Sequence, residues 1–147
     1  MYLLEQGGFY MWPLLICSVL MVAIIIERFS VFTAYLKKPL SAYEAPELVV
    51  EALRRRLIML STIITIAPML GLLGTISGLM KCFQLLGTKT TLYNPQEISL
   101  GISEALLTTG VGLVINVIGQ IFYNYFSARL ERYVSHYNRW LKEGADE

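Results

Sequence analysis

Residues 57–80, between Arg56 and Lys81, form 24 consecutive positions without a charge, and residues 105–128, between Glu104 and Arg129, form another 24. As helices at 1.5 Å per residue each reaches roughly 36 Å, enough to cross a hydrocarbon layer of about 30 Å. A third run, residues 6–26 between Glu5 and Glu27, holds 21 uncharged residues and is most apolar from Phe9 to Ile26. Composition agrees: 55% of the 147 residues are hydrophobic and only 16% are charged, against about 25% charged in a soluble domain. The pattern predicts an all-α integral membrane protein with three transmembrane helices, formed by residues 1–147 as a single membrane domain. The expected spans cover about 9–27, 57–86 and 102–126, with helical cytoplasmic parts at 28–56 and 127–143.

The first run has no basic residue before it and no small-x-small cleavage pattern after it, so it reads as a retained span and not as a signal peptide. Arg28, Lys37, Lys38, Arg54, Arg55, Arg56, Arg129, Arg132, Arg139 and Lys142 fall on one side of a three-span arrangement, Lys81 and Lys89 on the other. That asymmetry places the N-terminus outside and the C-terminus in the cytoplasm. Trp12 stands where an outer aromatic anchor belongs, and Tyr123, Tyr125 and Phe126 stand where an inner one does. In the tail, Leu130, Tyr133, Val134, Tyr137, Trp140 and Leu141 recur at helical spacing, so the third span is expected to continue as an amphipathic helix needing a partner surface. It is expected to fray from Gly144.

Several functions are excluded by what the chain lacks. A formal charge of +1 offers no basic footprint for nucleic acid. Two cysteines, Cys17 and Cys82, make no disulfide framework, and one histidine, His136, makes no histidine-rich metal site. Gly87-Thr88-Lys89-Thr90 lacks the glycine-lysine step of a phosphate loop. With no carboxylate pair and no nucleophile beside a base, the chain is not expected to be an enzyme or to hold a cofactor. Any work it does would draw on an ion gradient or on a partner.

A short external link makes spans two and three antiparallel neighbours. Aligning Arg56 with Arg129 and Lys81 with Glu104 sets Thr75 opposite Gly110 and Thr109 opposite Ile76. Two hydroxyls from different helices then share one depth, roughly 8 to 9 Å inside the outer ends. Ser61, Thr65, Pro68, Leu72 and Thr75 follow one another down span two at three- and four-residue steps, as do Thr109, Gly112, Asn116, Gly119 and Tyr123 down span three. Such rows serve helix packing, as Gly74-x-x-x-Gly78 does, and they serve equally as a polar pathway. Asn116 tilts the balance, because an amide at mid-span is costly against lipid. Pro68 removes one backbone donor and frees a carbonyl of span two, which gives a kink or an opening for water or a partner. A threonine hydroxyl does not titrate in the useful range. The intramembrane carboxylates are Glu104, able to pair with Lys81 or to sit at a pathway mouth, and Glu27, an interfacial charge beside Arg28. Proton transfer would need a carboxylate from another chain.

Ala67-Pro68-Met69-Leu70-Gly71-Leu72-Leu73-Gly74-Thr75-Ile76-Ser77-Gly78-Leu79-Met80 resembles the second-span motif of the MotA/TolQ/ExbB proton-channel family. Ile102-Ser103-Glu104-Ala105-Leu106-Leu107-Thr108-Thr109-Gly110-Val111-Gly112-Leu113, with Tyr123-Asn124 beyond it, resembles the third-span motif. Gly8 to Arg28, with Trp12-Pro13 and Glu27-Arg28, is similar to the first span. The resemblance implies a homopentamer in a bacterial inner membrane around a single-span partner of the ExbD/TolR type. That partner's membrane aspartate would accept protons beside the pore threonines, and a TonB-like protein would receive the force. By motif position the proton pathway would comprise Thr75, Thr109 and Thr108, with Glu104 at the family's third-span glutamate and Asn116 added to the pattern; Pro68, Gly71, Gly74, Gly78 and Gly112 would pack or kink the helices. Two departures stand out. Asn116-Val117-Ile118-Gly119 replaces the family's Ala-Ile-Pro-Ala, and the connection between spans one and two is short, which disfavours a rotor-binding stator. An ExbB-like subunit serving TonB-dependent outer-membrane transport ranks ahead of a TolQ-like envelope role. A non-conducting membrane scaffold is the alternative from outside the family's chemistry.

Overall fold

The computed structural model of the chain describes residues 8–88 and 94–146. Lys89 and Thr90, which entered the charge count and the Gly87 to Thr90 motif, lie outside the described residues. The described chain is helical: α1 runs Met11–Tyr35, α2 Pro46–Thr88 and α3 Pro95–Ala145, with one turn of 3-10 helix at Leu40–Ala42 between α1 and α2. All three are long and apolar enough to cross a membrane. The protein is a three-helix, multi-pass membrane protein.

Helix ends follow local chemistry. Pro46 and Pro95 each occupy a first helical position, where the missing N–H removes a donor that would have had no partner. Asn94 caps α3: its side-chain oxygen accepts from the Gln96 N–H at 3.2 Å and its carbonyl from the Glu97 N–H at 3.1 Å. This cap starts α3 at Pro95, so the helix begins ahead of the expected span, which opens at about residue 102. At the other end α3 runs on to Ala145, past the expected fraying point at Gly144.

The contacts divide into two compact units. One contains residues up to Leu20 together with Ile63–Ile118; the other contains Met21–Thr62 and Gly119–Glu147. In the first, Leu14, Ile64, Ala67, Ala105, Thr108 and Ile115 are buried between the three helices. α2 and α3 come close because glycines and alanine meet there. A Cβ on Gly71 would lie 3.0 Å from the Thr109 Cα, and one on Gly112 would lie 2.7 Å from the Ala67 carbonyl oxygen. Small residues allow such approach where lipid supplies no hydrophobic drive. Outward-facing Leu15, Ile16 and Val19 on α1 and Leu106 and Leu113 on α3 are exposed, as expected of faces that meet lipid or neighbouring chains.

The second unit is built on aromatic packing. Phe29 contacts Phe122, Tyr125 and Phe126, and Phe32 and Phe126 lie fully buried with ring centroids 5.2 Å apart. Phe126 is therefore core, not the interfacial anchor expected from its position, because α1 extends far enough to cover it. Arg28, only 3% exposed, donates to Glu27 at 3.1 Å, and Arg56 of α2 reaches the same carboxylate at 3.5 Å. Glu27 thus pairs both with its sequence neighbour Arg28 and with Arg56 of α2.

The amphipathic tail finds part of its partner surface in the α1–α2 connection. Leu130 is buried, and the Tyr133 hydroxyl lies 2.6 Å from the Lys38 carbonyl and 3.2 Å from that of Tyr35. Burial, and secondarily the nearby Tyr43, push the Tyr133 pKa up from the ordinary tyrosine value, so the donor keeps its proton throughout the neutral range. Because the raised pKa belongs to the folded state, this preference for the neutral phenol weakens folding only as pH rises above the unfolded tyrosine value, about 10. Tyr133→Phe is expected to cost about 1 kcal/mol, read as a lower unfolding midpoint in detergent and as faster proteolysis of the 36–45 connection.

Candidate functional site

Within the first unit, Thr75 of α2 and Thr109 of α3 touch through their hydroxyl oxygens. The Thr109 hydroxyl donates to the Gly71 carbonyl at 3.0 Å. The Thr75 hydroxyl has three acceptors in reach: Thr109 Oγ1, the Ala105 carbonyl at 3.2 Å and the Gly71 carbonyl at 3.3 Å. Two hydroxyls and two carbonyls of opposite helices thus form one connected hydrogen-bond cluster. Both threonines are half-buried, so each keeps one side open. The equal depth expected of them is present. The register is not the expected one.

Sequence alignment of the end charges set Gly110 opposite Thr75, yet nothing lies within 4 Å of a Cβ on Gly110. Contacts instead join Thr75 to Ala105 and Thr109, Gly71 to Thr108 and Thr109, and Gly78 to Ala105 and Gly101. The helices have slid by about one turn relative to the charge alignment. The reason is steric: Gly71, Gly74, Gly78 and Gly112 pack tightly, and end charges free to extend into water do not constrain register to a residue.

Thr108 is 1% exposed; its hydroxyl bonds to the Glu104 carbonyl at 2.9 Å and its methyl fills the space beside Gly74. Asn116 donates from Nδ2 to the Ile64 carbonyl at 2.9 Å. Pro68 lies inside α2, which continues as helix on both sides of it.

Glu104 lines a cavity of about 340 Å³ with Lys81, Glu97, Tyr10, Ser77 and Thr108. Glu104 and Lys81 share this cavity without an ion pair between them. Glu104 instead lies against Gly8, whose φ of +66° and contact with the carboxylate leave no room for a Cβ. Gly8, Tyr10 and Ser77 carried no site signal in the sequence, because the nearness of Gly8 and Tyr10 to Glu104 depends on how α1 docks and that of Ser77 on the register of α2 against α3. Cys82, read as a packing thiol, is buried with Sγ 3.7 Å from the Ile98 carbonyl.

Residues 40–139 match the profile of the MotA/TolQ/ExbB proton channel family. The chain belongs to that family. Among its relatives, the biopolymer transport protein ExbB of Aquifex aeolicus is 30% identical over 115 residues, which is 78% of this chain and 75% of that protein. A putative ExbB-like protein of Synechocystis is 45% identical over 75 residues, half of this chain and 36% of its own length. The Tol-Pal system protein TolQ of Haemophilus influenzae is 33% identical over 95 residues, 64% of this chain and 41% of that protein. The matched segments thus span from about a third to three quarters of these relatives. For a member of the MotA/TolQ/ExbB family, the distribution of acids is informative. α2 carries no carboxylate after Glu51, and α3 carries none between Glu104 and Glu131. The threonine pair sits in that acid-free stretch.

Proposed function

We propose that this protein is the proton-channel subunit of an inner-membrane motor driven by the proton motive force, in which Thr75 and Thr109 form the protein side of the proton site. The Thr75–Thr109 hydroxyl cluster, half-open and spanning α2 and α3, carries this reading. A hydroxyl both donates and accepts. Facing an ionised carboxylate, a threonine turns its O–H from a helix carbonyl to the acid, and that bond favours the charged form. Facing the protonated acid, the same oxygen accepts. The pair therefore holds both states of an acid without titrating itself.

Because the chain places no acid at this depth, the titrating group comes from a single-span partner of the ExbD/TolR kind, held within a homopentamer of this chain. Protons enter past Glu104. Thr108 and Asn116, counted with the pathway by sequence position, support the helices that carry it. Force passes to a TonB-like protein and so to outer-membrane transport. The ExbB-like role is preferred over the TolQ-like one because the Aquifex ExbB match covers 75% of that relative, whereas the Haemophilus TolQ match covers 41% of TolQ.

In proteoliposomes carrying a pH gradient, the protein together with its partner is expected to conduct protons, and the protein alone is not. Replacement of the partner's membrane aspartate by asparagine is expected to abolish conduction with the complex intact. Flux independent of the partner, or none in an intact complex, would leave a non-conducting scaffold as the function.

A further inference from the structure

Proline at position 68 deletes the N–H that would bond to the carbonyl four residues back, which belongs to Ile64. That carbonyl lies in a buried part of α2, where an unsatisfied acceptor costs several kcal/mol in a water-free layer. The Asn116 side chain of α3 donates to this same oxygen at 2.9 Å. We infer that Asn116 is a surrogate for the backbone donor that Pro68 removes, and that this exchange of an intrahelical for an interhelical hydrogen bond is a positioning device that fixes the register of α2 against α3.

The spacing supports that role. Ile64 precedes Gly71 by seven residues and Thr109 precedes Asn116 by seven, so two of the interhelical hydrogen bonds, Asn116 to Ile64 and Thr109 to Gly71, lie two turns apart on the same faces of both helices. Between them Gly112 packs on the Ala67 carbonyl. The glycine contacts bring the two helices close and exclude registers that would put a side chain there; they do not pair a donor with an acceptor, and so do not by themselves match one residue of α3 to one carbonyl of α2. A donor that meets one freed carbonyl does, because only Ile64 in α2 lies four residues before a proline. Pro68 creates a single address on α2, and Asn116 reads it.

The inference stands apart from proton conduction, and its test uses none. Asn116→Ala, Pro68→Ala and the double variant form a thermodynamic cycle, measured as unfolding equilibria of the full chain in mixed micelles. With Pro68 present, Asn116→Ala should lower the folding constant about three-fold or more, in the range of single polar contacts between membrane helices. In the Pro68→Ala background, where an N–H at position 68 restores the Ile64 bond, the same change should have less than about half that effect. Ile64–Thr65 is the single Ile-Thr step in the chain, so carbonyl-labelled isoleucine combined with ¹⁵N threonine isolates the Ile64 carbonyl resonance. Asn116→Ala should shift that resonance when proline is present and leave it in place in the Pro68→Ala background. If Asn116→Ala alone does not fold, Pro68→Ala should restore folding. Equal effects of Asn116→Ala in both backgrounds, an unmoved Ile64 resonance, or failure of Pro68→Ala to rescue would each overturn the proposal.

Discussion

Thr75→Val and Thr109→Val should each reduce partner-dependent proton flux at least about ten-fold while leaving the complex assembled. Valine keeps the branched shape and removes only the hydroxyl, so packing against Gly71 and Ala105 survives. A hydrogen bond to a charged group contributes about 1.5–3 kcal/mol, and at 1.4 kcal/mol per decade its loss from the ionised acid slows proton release about ten-fold or more. Thr75→Ser and Thr109→Ser retain the hydroxyl and should keep most of the flux. Thr108→Val supplies the contrast. Its hydroxyl is turned back onto the Glu104 carbonyl and is buried, so its loss should change flux less than about two-fold. Full flux in both valine variants at positions 75 and 109, with normal assembly, would remove the hydroxyl pair from the mechanism.

The same residues show what the sequence reveals and what it conceals. Three uncharged runs dictate three spanning helices, because lipid allows few other ways to satisfy the backbone. That Thr75 and Thr109 come near each other was legible too, from the rise per residue and the antiparallel link, although the end charges placed them through a register that the structure does not have. Register was not. Aligning Arg56 with Arg129 assumes that end charges share a level, but these side chains are long and Arg56 turns to Glu27 of α1. The slide by a turn was set by steric facts that a one-dimensional pattern holds only implicitly: which glycine meets backbone, and which meets space. Asn116 illustrates the same limit. Its cost facing lipid was evident, and so was the carbonyl freed by Pro68, yet the two groups, 52 positions apart in sequence, are joined only in the folded chain. Phe126 misled for the opposite reason. An aromatic near a span end is an anchor when exposed, and core when another helix reaches it.

Gly112→Ala and Gly110→Ala test the observed register directly, since the two glycines are two residues apart on one helix and have opposite environments. The added methyl at 112 would lie 2.7 Å from the Ala67 carbonyl oxygen and 3.3 Å from its carbon, both backbone atoms of α2 that cannot rotate away. Relief requires α2 and α3 to separate, at a cost of about 1–3 kcal/mol for overpacking of this kind. The separation also pulls Thr109 from Gly71, so flux should fall with stability. At 110 nothing lies within 4 Å of the new methyl, and alanine is favoured over glycine in a helix interior by about 0.5–1 kcal/mol. Gly110→Ala should therefore leave stability unchanged or raise it. The charge-aligned register predicts the reverse order, because it turns Gly110 toward Thr75. Unfolding midpoints of the two variants measured side by side decide between them: a lower midpoint for Gly110→Ala than for Gly112→Ala would mean that the helices pair as the end charges align them and not through the glycine contacts.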